Sequence, residues 1–92
     1  MILAKARVED YERFASVFTS AGADLRSKHG SNGAQVFRNA DDGNEVWVLF
    51  DWSRDDYTRF LGDPASREVM GQAGLQGPPE SIMLEAGPTT DS

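Results

Sequence analysis

The sequence predicts an α+β domain with the order β-α-β-β-α-β, an antiparallel four-stranded sheet carrying its helices on one face. Three observations lead there. The apolar period changes from two residues to helical spacing after Val8, and again after Trp52. Two strand patterns, Ala34 to Asn39 and Glu45 to Trp52, are separated by the turn-forming run Asp41-Asp42-Gly43-Asn44. The second of these strands is apolar on both faces, so both of its faces are expected to be covered.

Strand one runs from Ile2 to Val8. Ile2, Ala4, Ala6 and Val8 share one face, and Leu3, Lys5 and Arg7 the other. Tyr11, Phe14, Ala15, Phe18, Ala21 and Leu25 then follow helical spacing, which predicts one amphipathic helix from Tyr11 to Lys28. Asp10 suits its N-cap and Glu12 its first turn. Arg26, Lys28 and His29 crowd the last turn, and Gly30 fits the left-handed position beyond it. Gly22 sits inside this helix at a cost of about 1 kcal/mol relative to alanine.

Ser31-Asn32-Gly33 is a loop leading into the hairpin. In strand three, Val46, Val48, Phe50 and Trp52 form one face, and Trp47 and Leu49 lie on the other. Ser53 with Asp56 resembles a capping box and opens a short helix with Tyr57, Phe60 and Leu61. Asp63-Pro64 restarts a helix as N-cap and first residue, running to about Ala73. Gly77-Pro78-Pro79 is a stiff turn before a last strand, Ser81 to Ala86. These elements make a single domain over residues 1–86, and residues 87–92 read as a disordered polar tail. The order is the ferredoxin-like one.

Composition narrows the function. A chain of 92 residues and 10.1 kDa holds one core, and area scaling leaves it only about 64% buried on folding. A second subunit is the simplest cover for the sheet face opposite the helices, so a homodimer through that face is expected. The absence of cysteine excludes disulfides and thiolate chemistry, and a single histidine excludes a multi-histidine metal site. A net charge of −6 argues against nucleic acid. No apolar run is long enough for a membrane span, and no leader pattern opens the chain, so a cytoplasmic protein is expected. No P-loop, Gly-x-Ser-x-Gly elbow or aromatic RNA-binding pattern occurs.

Four segments carry a family resemblance: Val8-Glu9-Asp10-Tyr11, His29-Gly30, the hairpin from Val36-Phe37-Arg38 to Phe50-Asp51-Trp52, and Ala73-Gly74-Leu75-Gln76-Gly77-Pro78-Pro79. Together they resemble the small dimeric α+β barrel proteins, related to antibiotic-biosynthesis monooxygenases and polyketide cyclase-like proteins. The resemblance implies two ferredoxin-like subunits packed through their sheets, each with a cavity between sheet and helices. It implies oxidation or cyclisation of an aromatic or polyketide-type molecule with no bound metal or flavin. The monooxygenases of this group use asparagine, tryptophan, tyrosine and arginine around a phenolic substrate. Asn39, Trp52, Tyr57 and Arg38 are of those chemical types here. Haem-degrading members use a histidine on the second helix, where this chain has none.

The candidate site follows with its plainer alternatives. Tyr57 is a candidate donor to a ligand oxygen, Arg38 a stabiliser of developing negative charge, and His29 a proton carrier. Trp52, Asn39, Phe14 and Phe18 are candidate substrate contacts. Position alone also explains His29 as a helix-terminal cation, and Trp52 as core packing. Trp47 reads as an interface anchor. Lys5, Arg7 and Arg38 also read as strand cations paired with carboxylates across the sheet. Ala4 and Ala6 leave volume beneath the helices. The non-catalytic alternative is a dimeric binding or scaffolding module filled by its own side chains.

Overall fold

A computed structural model describes residues 1–92. Its elements are β1 (Ile2–Arg7), α1 (Tyr11–Phe18), α2 (Ala21–Lys28), β2 (Gly33–Asn39), β3 (Asp42–Asp51), α3 (Arg54–Gly62), α4 (Pro64–Gln72) and β4 (Glu80–Met83). The strands form one antiparallel sheet in the order β2-β3-β1-β4. This is the ferredoxin-like α+β fold expected from the sequence.

Register places the core. Ile2 pairs with Phe50, Ala4 with Val48 and Ala6 with Val46, so the small and aliphatic face of β1 continues the large face of β3. Ile2, Ala4, Val46, Val48 and Phe50 are buried with Phe14, Tyr57, Phe60 and Ala73 of the helical layer. The helices therefore cover the face that carries Trp52. Trp47 and Leu49 lie on the opposite face.

That opposite face has no cover within the chain. Phe37, paired with Trp47, is 54% exposed, and Ile82, paired with Leu3, is 56% exposed. Only 15 of 92 residues are buried, and the chain exposes 5928 Å², against roughly 5,300 Å² expected for a monomer of this mass.

The long helix predicted from Tyr11 to Lys28 is two helices, broken at Thr19 and Ser20. The reason is local. The Thr19 hydroxyl donates to the Ala15 carbonyl at 2.8 Å and the Ser20 hydroxyl to the Ser16 carbonyl at 2.7 Å. Such bonds compete with the backbone ladder, and Ser20 leaves helical geometry at φ −117° and ψ −99°. Its hydroxyl points backward, so it does not cap α2.

The helix starts follow the sequence. Asp10 accepts from the amides of Glu12 and Arg13, Ser53 from that of Asp56, and Asp63 from that of Ala65. At the end of α2, Gly30 takes φ +85°. Its amide donates to the Ser27 carbonyl, and that of Ser31 to the Arg26 carbonyl, a Schellman closure.

The hairpin turns earlier than predicted. Asn39 pairs with Asp42 across Ala40 and Asp41, and the Asn39 side chain accepts from the Asp41 amide at 2.9 Å. Arg38 pairs with Val46, so Gly43, Asn44 and Glu45 form a bulge on β3. Asn44 uses the bulge to hold the end of β1: its amide side chain donates to the Val8 carbonyl at 2.9 Å. The last strand is also shorter than predicted, ending at Met83, although the Leu84 amide still donates to the Met1 carbonyl.

Ser66 on α4 is fully buried, and its hydroxyl has no partner. Desolvating an unpaired hydroxyl disfavours folding. Ser66→Ala is expected to be neutral or stabilising by up to about 1 kcal/mol in urea unfolding. A loss of about 1 kcal/mol or more would mean that the hydroxyl is bonded in solution.

Candidate functional site

Between the sheet and the helices lies an apolar cavity of about 80 Å³. Ala4 and Ala6 floor it, where larger side chains on β1 would fill it. Phe14 and Phe18 of α1, Phe50 of β3, and Tyr57 and Phe60 of α3 wall it. The rings form a continuous array: Phe14 to Phe18 at 5.3 Å, Phe18 to Phe50 at 6.4 Å, and Phe50 to Tyr57 at 5.9 Å between centroids.

Tyr57 is 3% exposed. Its hydroxyl makes a short hydrogen bond to the Ser81 hydroxyl of β4. Burial raises its pKa above the usual phenol value, and the Ser81 bond partly offsets that rise. At neutral pH it is a neutral phenol, able to donate a proton or accept a hydrogen bond.

Three of the seven sequence-predicted site residues line the cavity: Tyr57, Phe14 and Phe18. Trp52 is packed behind the lining, with ring centroids 5.3 Å from Tyr57 and 5.0 Å from Phe60. Its indole N–H donates to the His29 carbonyl at 2.9 Å. His29 lies beyond Trp52 at the end of α2, where its Nε2–H donates to Asp63 Oδ2 at 2.9 Å. Arg38 and Asn39 stand at the hairpin. The Arg38 guanidinium lies 4.2 Å from the Tyr11 ring centre, and its Nε donates to the Gly43 carbonyl at 3.0 Å. Lys5 pairs with Glu80 at 3.7 Å and Arg7 with Asp42 at 2.7 Å, both as cross-strand ion pairs.

One residue at the cavity was read from sequence only as a last-turn cation. Arg26 is 8% exposed and lies in the cavity wall. Its Nη2 donates to the Phe18 carbonyl at 2.9 Å, and its guanidinium carbon stands 3.7 Å from the Phe18 ring centre. The break between α1 and α2 is what frees that carbonyl. Arg26 forms no ion pair. Burial alone lowers its pKa to about 10. The signal was present in the sequence: Phe14, Phe18, Gly22 and Arg26 recur at a spacing of four, so the cation falls on the apolar stripe.

Phe18 and Arg26 also border a second, more polar depression of about 330 Å³, which includes Thr19, Ser27 and Asn32. The two side chains stand between the inner cavity and this outer groove. No three histidine, aspartate or glutamate side chains converge as a metal-binding group. No helix is long and apolar enough to cross a membrane.

The His29–Asp63 pair carries a pH dependence. The His29 hydrogen bond is the largest cause holding the Asp63 carboxyl below the usual carboxylate range, followed by the Ala65 amide. The folded state therefore favours ionised Asp63. Its contribution is complete above the ordinary aspartate pKa of about 4 and is lost as pH falls through the lower folded-state value. Asp63→Asn keeps the cap shape without the charge. The melting-temperature gap between wild type and this variant is expected to close as pH falls from about 5 to about 2. A gap of constant size would mean that the carboxylate charge is not what stabilises the junction.

No family model matches the chain, and no curated protein matches it. Solved structures do. SnoaB, a cofactor-independent oxygenase from Streptomyces nogalater, superposes with a TM-score of 0.74 at 20% identity, over 99% of this chain and 95% of that one. A monooxygenase from the gene ActVA-Orf6 of Streptomyces coelicolor, solved with the ligand nanaomycin D, gives 0.67 at 22% identity, over 99% and 90%. A third structure, an antibiotic biosynthesis monooxygenase, gives 0.60 at 13% identity, over 95% and 97%. Over nearly its whole length, the chain has the ferredoxin-like α+β fold of the antibiotic biosynthesis monooxygenase-like proteins.

Proposed function

We propose that this chain is a small-molecule pocket protein acting on an aromatic, polyketide-type metabolite as a cofactor-independent monooxygenase. The observation that carries this is the aromatic-walled cavity under the helices, with the Tyr57 phenol in its wall. The fold shared with a cofactor-independent oxygenase supports it.

Such chemistry balances without an external reductant when the substrate supplies the electrons. A hydroxyanthrone loses its two methylene hydrogens, gains one oxygen atom of O₂ as a ketone, and releases the other as water. The protein's part is to orient the ring, hold it away from bulk water and place a hydrogen-bond donor at the ring oxygen whose charge rises. Tyr57 is that donor, and on binding it exchanges Ser81 for the ligand. Ring closure of a polyketide in the same pocket is the cyclase form of this activity and consumes no oxygen.

The cavity is smaller than the roughly 300–1,000 Å³ that enclose a drug-sized ligand. Phe18 must therefore swing aside and join cavity to groove when a polycyclic molecule enters. The small volume and the already satisfied Tyr57 hydroxyl favour the second reading, a non-catalytic dimeric module. In both, the open sheet face is covered by a second copy of the chain.

Oxygen uptake separates the two. With 1,8-dihydroxyanthrone and no added metal or flavin, wild type is expected to accelerate O₂ consumption. Tyr57→Phe is expected to lower the rate about tenfold to a hundredfold while the far-ultraviolet spectrum is retained. Binding without oxygen uptake or product leaves the non-catalytic module. An unchanged rate in Tyr57→Phe removes Tyr57 from the chemistry.

A further inference from the structure

We infer that Arg26 is a specificity-determining residue that recognises a carboxylate on the aromatic molecule entering the cavity. The inference rests on the pocket proposed above and adds the chemical class of its ligand.

Burying a charge without a partner disfavours the folded state, so buried cations are ordinarily paired. Arg26 is not. It is more than nine-tenths buried, and one of its five N–H donors is used, on the Phe18 carbonyl. Its side chain makes no other hydrogen bond and no ion pair, although the chain carries 15 acidic residues against 9 lysines and arginines. An acidic chain that leaves its most buried cation unneutralised has kept that charge for something outside itself.

The surroundings are shaped for the group. A Cβ on Gly22 would lie 3.0 Å from Arg26 Nη1 and 3.1 Å from the Val17 carbonyl. The glycine that weakens the helix therefore makes the room in which the guanidinium sits. In the unliganded chain the Phe18 ring lies against the guanidinium, 3.7 Å from ring centre to guanidinium carbon, and its swing would expose the Arg26 donors to the entering ligand. The side chain borders both the apolar cavity and the outer groove, so a ligand with its rings inside would bring an edge substituent to Arg26. A guanidinium prefers a carboxylate there, because two parallel N–H donors match its two oxygens.

The probes are 2-naphthoate and 2-naphthamide, which share a ring system and differ in charge, titrated calorimetrically into the full chain at neutral pH. Wild type is expected to bind the naphthoate about tenfold or more tightly than the amide. Arg26→Met is expected to bind both alike, with a melting temperature unchanged or raised. A merely structural arginine would instead lower the melting temperature when removed. Gly22→Ala, which displaces the guanidinium and leaves its charge, is expected to reduce the preference as well. Equal affinity of wild type for the two probes overturns the role of Arg26 and leaves the pocket standing. Binding of neither probe overturns the pocket itself, and this inference with it.

Discussion

Trp52→Ala is expected to remove about 3–5 kcal/mol of folding stability. A domain of this size holds about 5–15 kcal/mol in total, so the variant should be largely unfolded well below the wild-type melting temperature. The size of the effect follows from position. Trp52 lies one residue past β3 and is 3% exposed. Its ring touches three others, Phe50 at 5.4 Å, Tyr57 at 5.3 Å and Phe60 at 5.0 Å. It is therefore the piece through which the sheet grips α3. The indole N–H adds a second grip, on the His29 carbonyl that closes α2. Trp52→Phe separates the two: the ring survives, the carbonyl loses its donor, and a loss of about 1–3 kcal/mol is expected. Urea unfolding followed by circular dichroism measures both. A loss below about 1 kcal/mol in Trp52→Ala would mean that the helices are held by something other than this cluster.

Much of this was legible from residue order because its causes are local. Asp10, Ser53 and Asp63 cap helices through amides two or three residues away, and such bonds need nothing from the rest of the fold. The two-sided apolar pattern of β3 likewise marked both of its faces for cover, and the helices cover one of them. The site was less legible because its bonds span the chain. Tyr57 meets Ser81 across 24 residues and His29 meets Asp63 across 34. Arg38 looked like a site cation by type, but the hairpin bulge gives it a carbonyl and the Tyr11 ring, and it does not line the cavity. Arg26 sat in plain view at the helical spacing of Phe14, Phe18 and Gly22. A cation in a last turn has a ready explanation in the helix dipole, and that explanation hid the other. The helix break at Ser20 was hidden for a different reason: a serine hydroxyl can cap the helix ahead or bond the turn behind, and residue identity alone does not choose.

The second large effect concerns the face the helices leave open. Leu49 sits in a row across the whole sheet, between Gln35 of β2 and Leu3 of β1, with Ile82 of β4 beyond. The neighbouring row is Phe37, Trp47, Lys5 and Glu80, whose one ion pair lies toward the β4 edge. A face this apolar on a chain with so few buried residues is a surface that self-association would cover. In a twofold pairing of sheet on sheet, Leu49 meets the same face of the other copy. Leu49→Glu then places one carboxylate from each copy in a buried apolar layer. Breaking the layer this way should weaken association about a hundredfold or more. Wild type is expected to sediment as a dimer of the 10.1 kDa chain at micromolar concentration, and Leu49→Glu as a folded monomer. Retained far-ultraviolet ellipticity distinguishes dissociation from unfolding, since on an isolated sheet face a glutamate is solvated and costs little. A wild-type monomer, or a variant that sediments unchanged, would show that the open face is not where two copies meet.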